Sequence, residues 1–208
     1  MSILEGNQPD EICKTKQLIV EGTDDKVFFE HLLGHLNLSD TFQVQAFGGV
    51  PKLKPWLKGF VRSPDFSDVE ALGIVRDADN SSMAAFDSVC GAITNAALMP
   101  PREPFLLQDG EPRINVCILP GPSAQSGMLE NLCLSMVEGD PAMTCITAYL
   151  DCLQQLSLPL RNPAKAKLQA FLASREKPVI GLVGATYKGY WNWEHPAIIP
   201  IIDFLRSL

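Results

Sequence analysis

The sequence predicts an α/β fold: a mostly parallel sheet of four to five strands with helices on both faces. Two observations predict it. Short apolar runs such as QLIV, LGIV and INVCIL alternate with longer segments whose apolar residues recur at helical spacing, the order of a parallel sheet covered on both sides. The first run also passes through a tight turn directly into a helix, the opening of an α/β unit.

Taken in order, KQLIVEG (Lys16 to Gly22) reads as a buried strand closed by an acid and a glycine. From Asp24 to Leu36, the residues Val27, Phe28, Leu32, Leu33 and Leu36 fall at helical spacing, with Thr23 or Asp24 as N-cap. A second strand is expected at Phe42 to Phe47, followed by Gly48-Gly49 and a short helix through Lys52 to Phe60. Ala71 to Val75 reads as the third strand, ending in the polar run Arg76 to Ser82, with an alanine-rich helix from about Met83 to Leu98. PPREPFLLQDGEPR (Pro100 to Arg113) reads as a loop or hairpin, and Ile114 to Leu119 as the fourth strand. Helices are then expected over Gly127 to Val137, from Asp140-Pro141 to near Leu156, and from Asn162-Pro163 to Arg175. Pro178 to Val183 is the fifth strand candidate, and Ala197 to Leu208 the closing helix.

Composition narrows the class. The chain has 208 residues, 46% apolar and 20% charged, which fits one globular domain spanning 1–208 and excludes disordered, collagenous and coiled-coil chains. No apolar stretch approaches the roughly 20 residues that span a bilayer, and MSILEGNQPDEICKTK is too polar for a signal peptide, so a cytoplasmic protein is expected. The net charge of −7 repels a phosphate backbone, so a nucleic-acid role requires metal ions or a basic partner. The six cysteines (Cys13, Cys90, Cys117, Cys133, Cys145, Cys152) form no CxxC pair and are assigned to packing rather than to zinc.

Acids cluster where an α/β sheet places its ligands, beyond the carboxyl ends of strands. Glu21 ends the first strand, Asp24 and Asp25 follow in the turn, and Asp77 and Asp79 follow the third strand. Strand alternation would point 77 and 79 the same way, toward one ion. Helix capping explains Asp24 and Asn80 equally well and is preferred for both. It does not explain Glu21, because a glutamate closing an apolar strand bears a burial cost without serving as a cap. Several carboxylates in one cleft repel one another, and a hard cation relieves that repulsion.

LIVEGTDDKVFF with GIVRDADN resembles the Toprim domain of topoisomerases, primases and overcoming-lysogenization-defect nucleases, in particular small stand-alone Toprim-like proteins. The likeness extends through MLENL, KAKLQAFLA and GYWNWEHP, dividing the chain into an acidic core (16–137) and a C-terminal extension (138–208). It implies a Toprim-like sheet in which Glu21, Asp25, Asp77 and Asp79 hold magnesium, or manganese, with Glu130 completing a second site. It also implies that Lys165, or its neighbour Lys167, faces the scissile phosphate. The activity implied is phosphodiester hydrolysis of DNA or RNA, with an ABC-type ATPase as partner in phage defence. The chemistry is coherent, since two metals can activate a water and stabilise the leaving oxygen while a lysine offsets phosphoryl charge.

Competing readings are weaker. A phosphotransfer receiver places its paired acids right after the first strand and a single phospho-acceptor after the third, and the spacing here argues against it. A non-catalytic module that binds an ATPase or nucleic acid through a retained acidic site gains weight from the charge of −7. His31 and His35 have the HExxH spacing, but Leu32 stands where the glutamate would be, so both read as edge-of-core or surface residues. Gly48-Gly49 lacks the Walker spacing. Tyr187, Trp191 and Trp193, beside Lys188, could stack on bases, but burial against the terminal helix is preferred. No Gly-x-Ser-x-Gly elbow supports a serine hydrolase.

Overall fold

A computed structural model describes residues 8–208. Residues 1–7, which begin the polar N-terminal stretch, lie outside the described residues. Four strands, β1 (Lys16–Val20), β2 (Phe42–Ala46), β3 (Ala71–Asp77) and β4 (Arg113–Leu119), form one sheet in the order β2-β1-β3-β4. Every pairing is parallel. The register sets Leu18 against Val44 on one side and Gly73 on the other, and Asp77 against Leu119.

Eight α-helices among the described residues cover the sheet: α1 (Thr23–His35), α2 (Leu53–Phe60), α3 (Ser82–Asn95), α4 (Leu129–Met136), α5 (Ala142–Gln155), α6 (Pro163–Ala173), α7 (Gly181–Tyr187) and α8 (Ile199–Ser207). Alternate residues of each strand feed opposite faces. Leu18, Val20, Val75, Cys117 and Leu119 join α1, α4, α6, α7 and α8 in one core. Ile19, Leu72, Ile74, Val116 and Ile118 pack beneath α2 and α3 in the other. With both faces covered, the strands read as continuous apolar runs.

Gly73 lets the last helix press onto the sheet. A Cβ there would stand 2.6 Å from Leu208 Cδ1 and 2.9 Å from Leu18 Cδ1. The chain end is held as well, with Arg113 Nη2 donating to the Leu208 carbonyl at 2.7 Å and Asn115 Nδ2 to Ser207 Oγ at 2.9 Å. At the β2 edge, the Cys13 amide donates to Gln43 Oε1 at 2.8 Å and the Asp10 amide to Gln45 Oε1 at 2.7 Å. The N-terminal segment is thus tied to the glutamine side chains of β2.

Several sequence expectations are corrected. The candidate fifth strand, Pro178 to Val183, instead leads into α7, with Ile180 as its N-cap and 96% exposed; no neighbouring strand is there to satisfy an extended backbone. Asp24 is not a cap: Gly22 occupies the N-cap of α1, and Asp25 reaches back to accept from the Gly22 amide at 2.9 Å. Asn80 is not one either, because Ser81 caps α3 by accepting from the Ala84 amide. The cysteines divide: Cys117 and Cys133 are buried, Cys90 is partly so, and Cys13, Cys145 and Cys152 are exposed. Trp191 is buried and donates from Nε1 to Thr186 Oγ1 at 2.8 Å, Trp193 packs on α1 against Phe28, and Tyr187, expected to be buried, is 67% exposed. No helix among the described residues is long and apolar enough to cross a membrane.

Candidate functional site

The chain reverses its winding between β1 and β3. From β1 it passes through α1 to β2 on one flank, and from β3 through α3 to β4 on the other. The crevice beyond the carboxyl ends of two such strands is where open α/β sheets bind ligands. A cleft of about 340 Å³ lies there. It is lined by Glu21, Asp24 and Asp25 after β1, Gly48 and Gly49 after β2, Asp77 at the end of β3, Leu129 and Glu130 at the start of α4, and Lys165 of α6. A larger groove, about 540 Å³, runs between α5 and Pro163, but Asp151 is its one charged lining residue.

Each functional side chain is set by a local feature. The amides of Gly48 and Gly49 donate to the Glu21 carbonyl at 2.9 and 3.1 Å, which pins the strand end beneath a loop. Gly49 takes φ +103°, a conformation that glycine adopts readily. Asp77 accepts from the Leu129 amide at 2.9 Å, joining the end of β3 to the N-terminus of α4. Glu130 is the second residue of that helix and its side chain is 9% exposed, with Lys165 Nζ 3.7 Å from Oε1. Lys165 sits in the first turn of α6, where Asn162 Oδ1 accepts from its amide. Lys167 does not line the cleft.

Asp79 is placed differently from Asp77. β3 ends at Asp77, and Asp79 adopts φ +51° while its amide and carbonyl pair with Gly127, so strand alternation stops before it. Its carboxylate lies 3.6 Å from Arg76 Nη2, half exposed and outside the cleft lining, yet near enough to act on Glu21. Arg76 is the contributor that motif reading missed. It is buried, donates from Nη1 to the Ala85 carbonyl at 3.2 Å, and its sequence signal is a cation closing an otherwise apolar strand.

Electrostatics show a site strained by like charges. Burial, then the charges of Asp25 and Glu21, push Asp77 up to about 8, against the opposing pull of the Leu129 amide. Burial raises Asp25 to about 6 despite its bond from Gly22, with Glu21 adding to the rise. Glu21 is raised by burial and by Asp79, while Arg76 and the amides of Asp77 and Val50 pull it down. Its Oε2 is buried with no hydrogen-bond partner.

Among the described residues, no group of three or more His, Cys, Asp or Glu side chains is arranged to hold a metal ion. The donor set nevertheless fits a small hard cation, which takes one or two carboxylates and keeps several waters. The unpartnered Glu21 Oε2 and the raised carboxylates are the groups such an ion would satisfy.

Comparisons with known proteins place the fold and the family. A hypothetical protein from Pyrococcus horikoshii OT3 is similar over 94% of this chain and 95% of its own, with 17% identity and a TM-score of 0.58. The C-terminal region of the Xanthomonas campestris pv. campestris OLD protein, in structures phased with mercury and with iodine, aligns at TM-scores of 0.41 and 0.41. Its identities are 14% and 15%, over 94% and 93% of this chain and 98% of each counterpart. No curated protein matches. The family described as protein of unknown function DUF3226 matches residues 15–208, and the chain belongs to that family.

Proposed function

We propose that the cleft at the carboxyl ends of β1 and β3 is a magnesium-dependent centre for hydrolysis of nucleic-acid phosphodiester bonds. The observation that carries the reading is the convergence of Glu21, Asp25, Asp77 and Glu130, from three separate segments, on one cleft that also contains Lys165. The resemblance of LIVEGTDDKVFF and GIVRDADN to Toprim motifs supports it independently.

Glu21 and Asp77 would hold the ion, with Glu130 and Asp25 beside them and Asp79 at the rim. A divalent cation bound there would supply Lewis-acid polarisation of a phosphoryl oxygen and of a bound water. The chain supplies position. The bond from Leu129 orients the Asp77 carboxylate, and the ion pair with Glu130 holds Lys165 where it can face phosphoryl oxygens. The Arg76 contact holds Asp79 beside Glu21.

The test is magnesium or manganese titration followed by thermal melting, with parallel incubation on plasmid, single-stranded DNA and RNA. A ligand at one hundred times its Kd stabilises by about 2.7 kcal/mol. Metal stabilisation and metal-dependent cutting by wild type, both lost in an Asp77→Ala, Asp79→Ala variant that still folds, is the expected result. A wild type that melts identically with and without metal and cuts nothing overturns the proposal.

A further inference from the structure

The chain is acidic overall, yet one segment reverses that balance. Residues 48–63 carry Lys52, Lys54, Lys58 and Arg62 and none of the 24 acids. Lys54, Lys58 and Arg62 repeat every four residues along α2 and the turn that follows, so they lie on one side, about 6 Å apart along the axis. Leu53, Trp56, Leu57 and Phe60 bury the opposite side of α2 against the sheet. Among the described residues none of the four cations is in an ion pair.

The position of this stripe gives it meaning. Gly49, which lines the acidic cleft, accepts a hydrogen bond through its carbonyl from the Lys52 amide at 2.9 Å, so the basic run begins at the cleft rim. A solvated helix face would intersperse both signs; this one carries a single sign in a chain of net −7.

We propose that Lys52, Lys54, Lys58 and Arg62 form a track for the phosphate backbone of a nucleic acid whose scissile bond lies in the cleft. The proposal rests on the nuclease reading of that cleft and supplies what it lacks, a local attraction to offset long-range repulsion. Phosphates held by point charges carry no base information, so the track is sequence-independent.

The test compares the full-length wild type with Lys54→Ala, Lys58→Ala, Arg62→Ala. A control triple, Arg102→Ala, Lys177→Ala, Arg206→Ala, removes the same charge from exposed positions elsewhere. Binding to labelled single-stranded and duplex oligonucleotides of two unrelated sequences is followed by anisotropy across salt concentrations, with metal-dependent cutting assayed separately. The α2 variant should weaken binding equally for both sequences, and its log K against log[salt] slope should be shallower by about 2 to 3. The control should leave the slope at the wild-type value, and unchanged melting of both variants shows that both remain folded. An unchanged slope in the folded α2 variant, equal loss in the control, or no binding by wild type each overturns the track. Salt-sensitive binding that depends on α2 without any cutting would leave the track standing while the catalytic reading fails.

Discussion

Asp77 and Leu129 are 52 residues apart in sequence, and the Leu129 amide donates to Asp77 Oδ1 at 2.9 Å. That bond closes the cleft floor, because it fixes the end of β3 to the helix that brings Glu130. It offsets only part of the repulsion among the buried carboxylates that surround it.

Above about pH 8, where Asp77 is ionised, Asp77→Asn retains an acceptor for Leu129 and removes one of the repelling charges. The metal-free variant should therefore melt above wild type by a few °C, at about 2–4 °C per kcal/mol for a chain of this size. Its metal-induced rise should disappear. Melting of both proteins with and without magnesium checks this; a variant less stable than wild type in the absence of metal would contradict it.

Asp77 at about 8 and Asp25 at about 6 both stand above ordinary aspartate values. The folded protein therefore binds more protons than the unfolded chain between about pH 4 and pH 8, and stability falls as pH rises through that window. Metal-free protein should lose melting temperature steadily from pH 5 to pH 8. The Asp25→Asn, Asp77→Asn variant should show a flatter profile over the same range.

Lys165, not Lys167, lines the cleft. Lys165→Ala should reduce metal-dependent cutting by about 10²-fold or more, the usual cost of removing one preorganised donor of this kind. Metal-induced stabilisation should persist, because the carboxylates remain. Lys167→Ala should cut at a rate close to wild type, and equal loss in the two variants would refute the placement.

Gly73→Ala would place a Cβ 2.6 Å from Leu208 Cδ1 and 2.9 Å from Leu18 Cδ1. Overpacking of this order costs about 1–3 kcal/mol. Combining it with Leu208→Ala, which removes one of the two clashing side chains, should destabilise less than the sum of the single effects. Strict additivity in urea melts would show that the helix and the sheet adjust independently.

The sequence by itself determined the fold class, the four strands and most helices, because covered parallel strands must be apolar along their length and the helices repeat at their own period. It also located the acids at strand ends, since Glu21 and Asp77 mark where two apolar runs stop. It misplaced the features set by contacts between distant residues. Val179 and Ile180 have strand-forming side chains, yet with no strand beside them the chain turns into α7. Asp79 follows strand periodicity on paper, but its pairing with Gly127 rotates it toward Arg76. Only the tertiary structure distinguished Lys165 from Lys167, brought Glu130 beside Asp77, and set a basic helix beside an acidic cleft. Periodicity is a local property of the chain, whereas a cleft is formed by segments far apart in sequence, and their packing fixes which side chains meet.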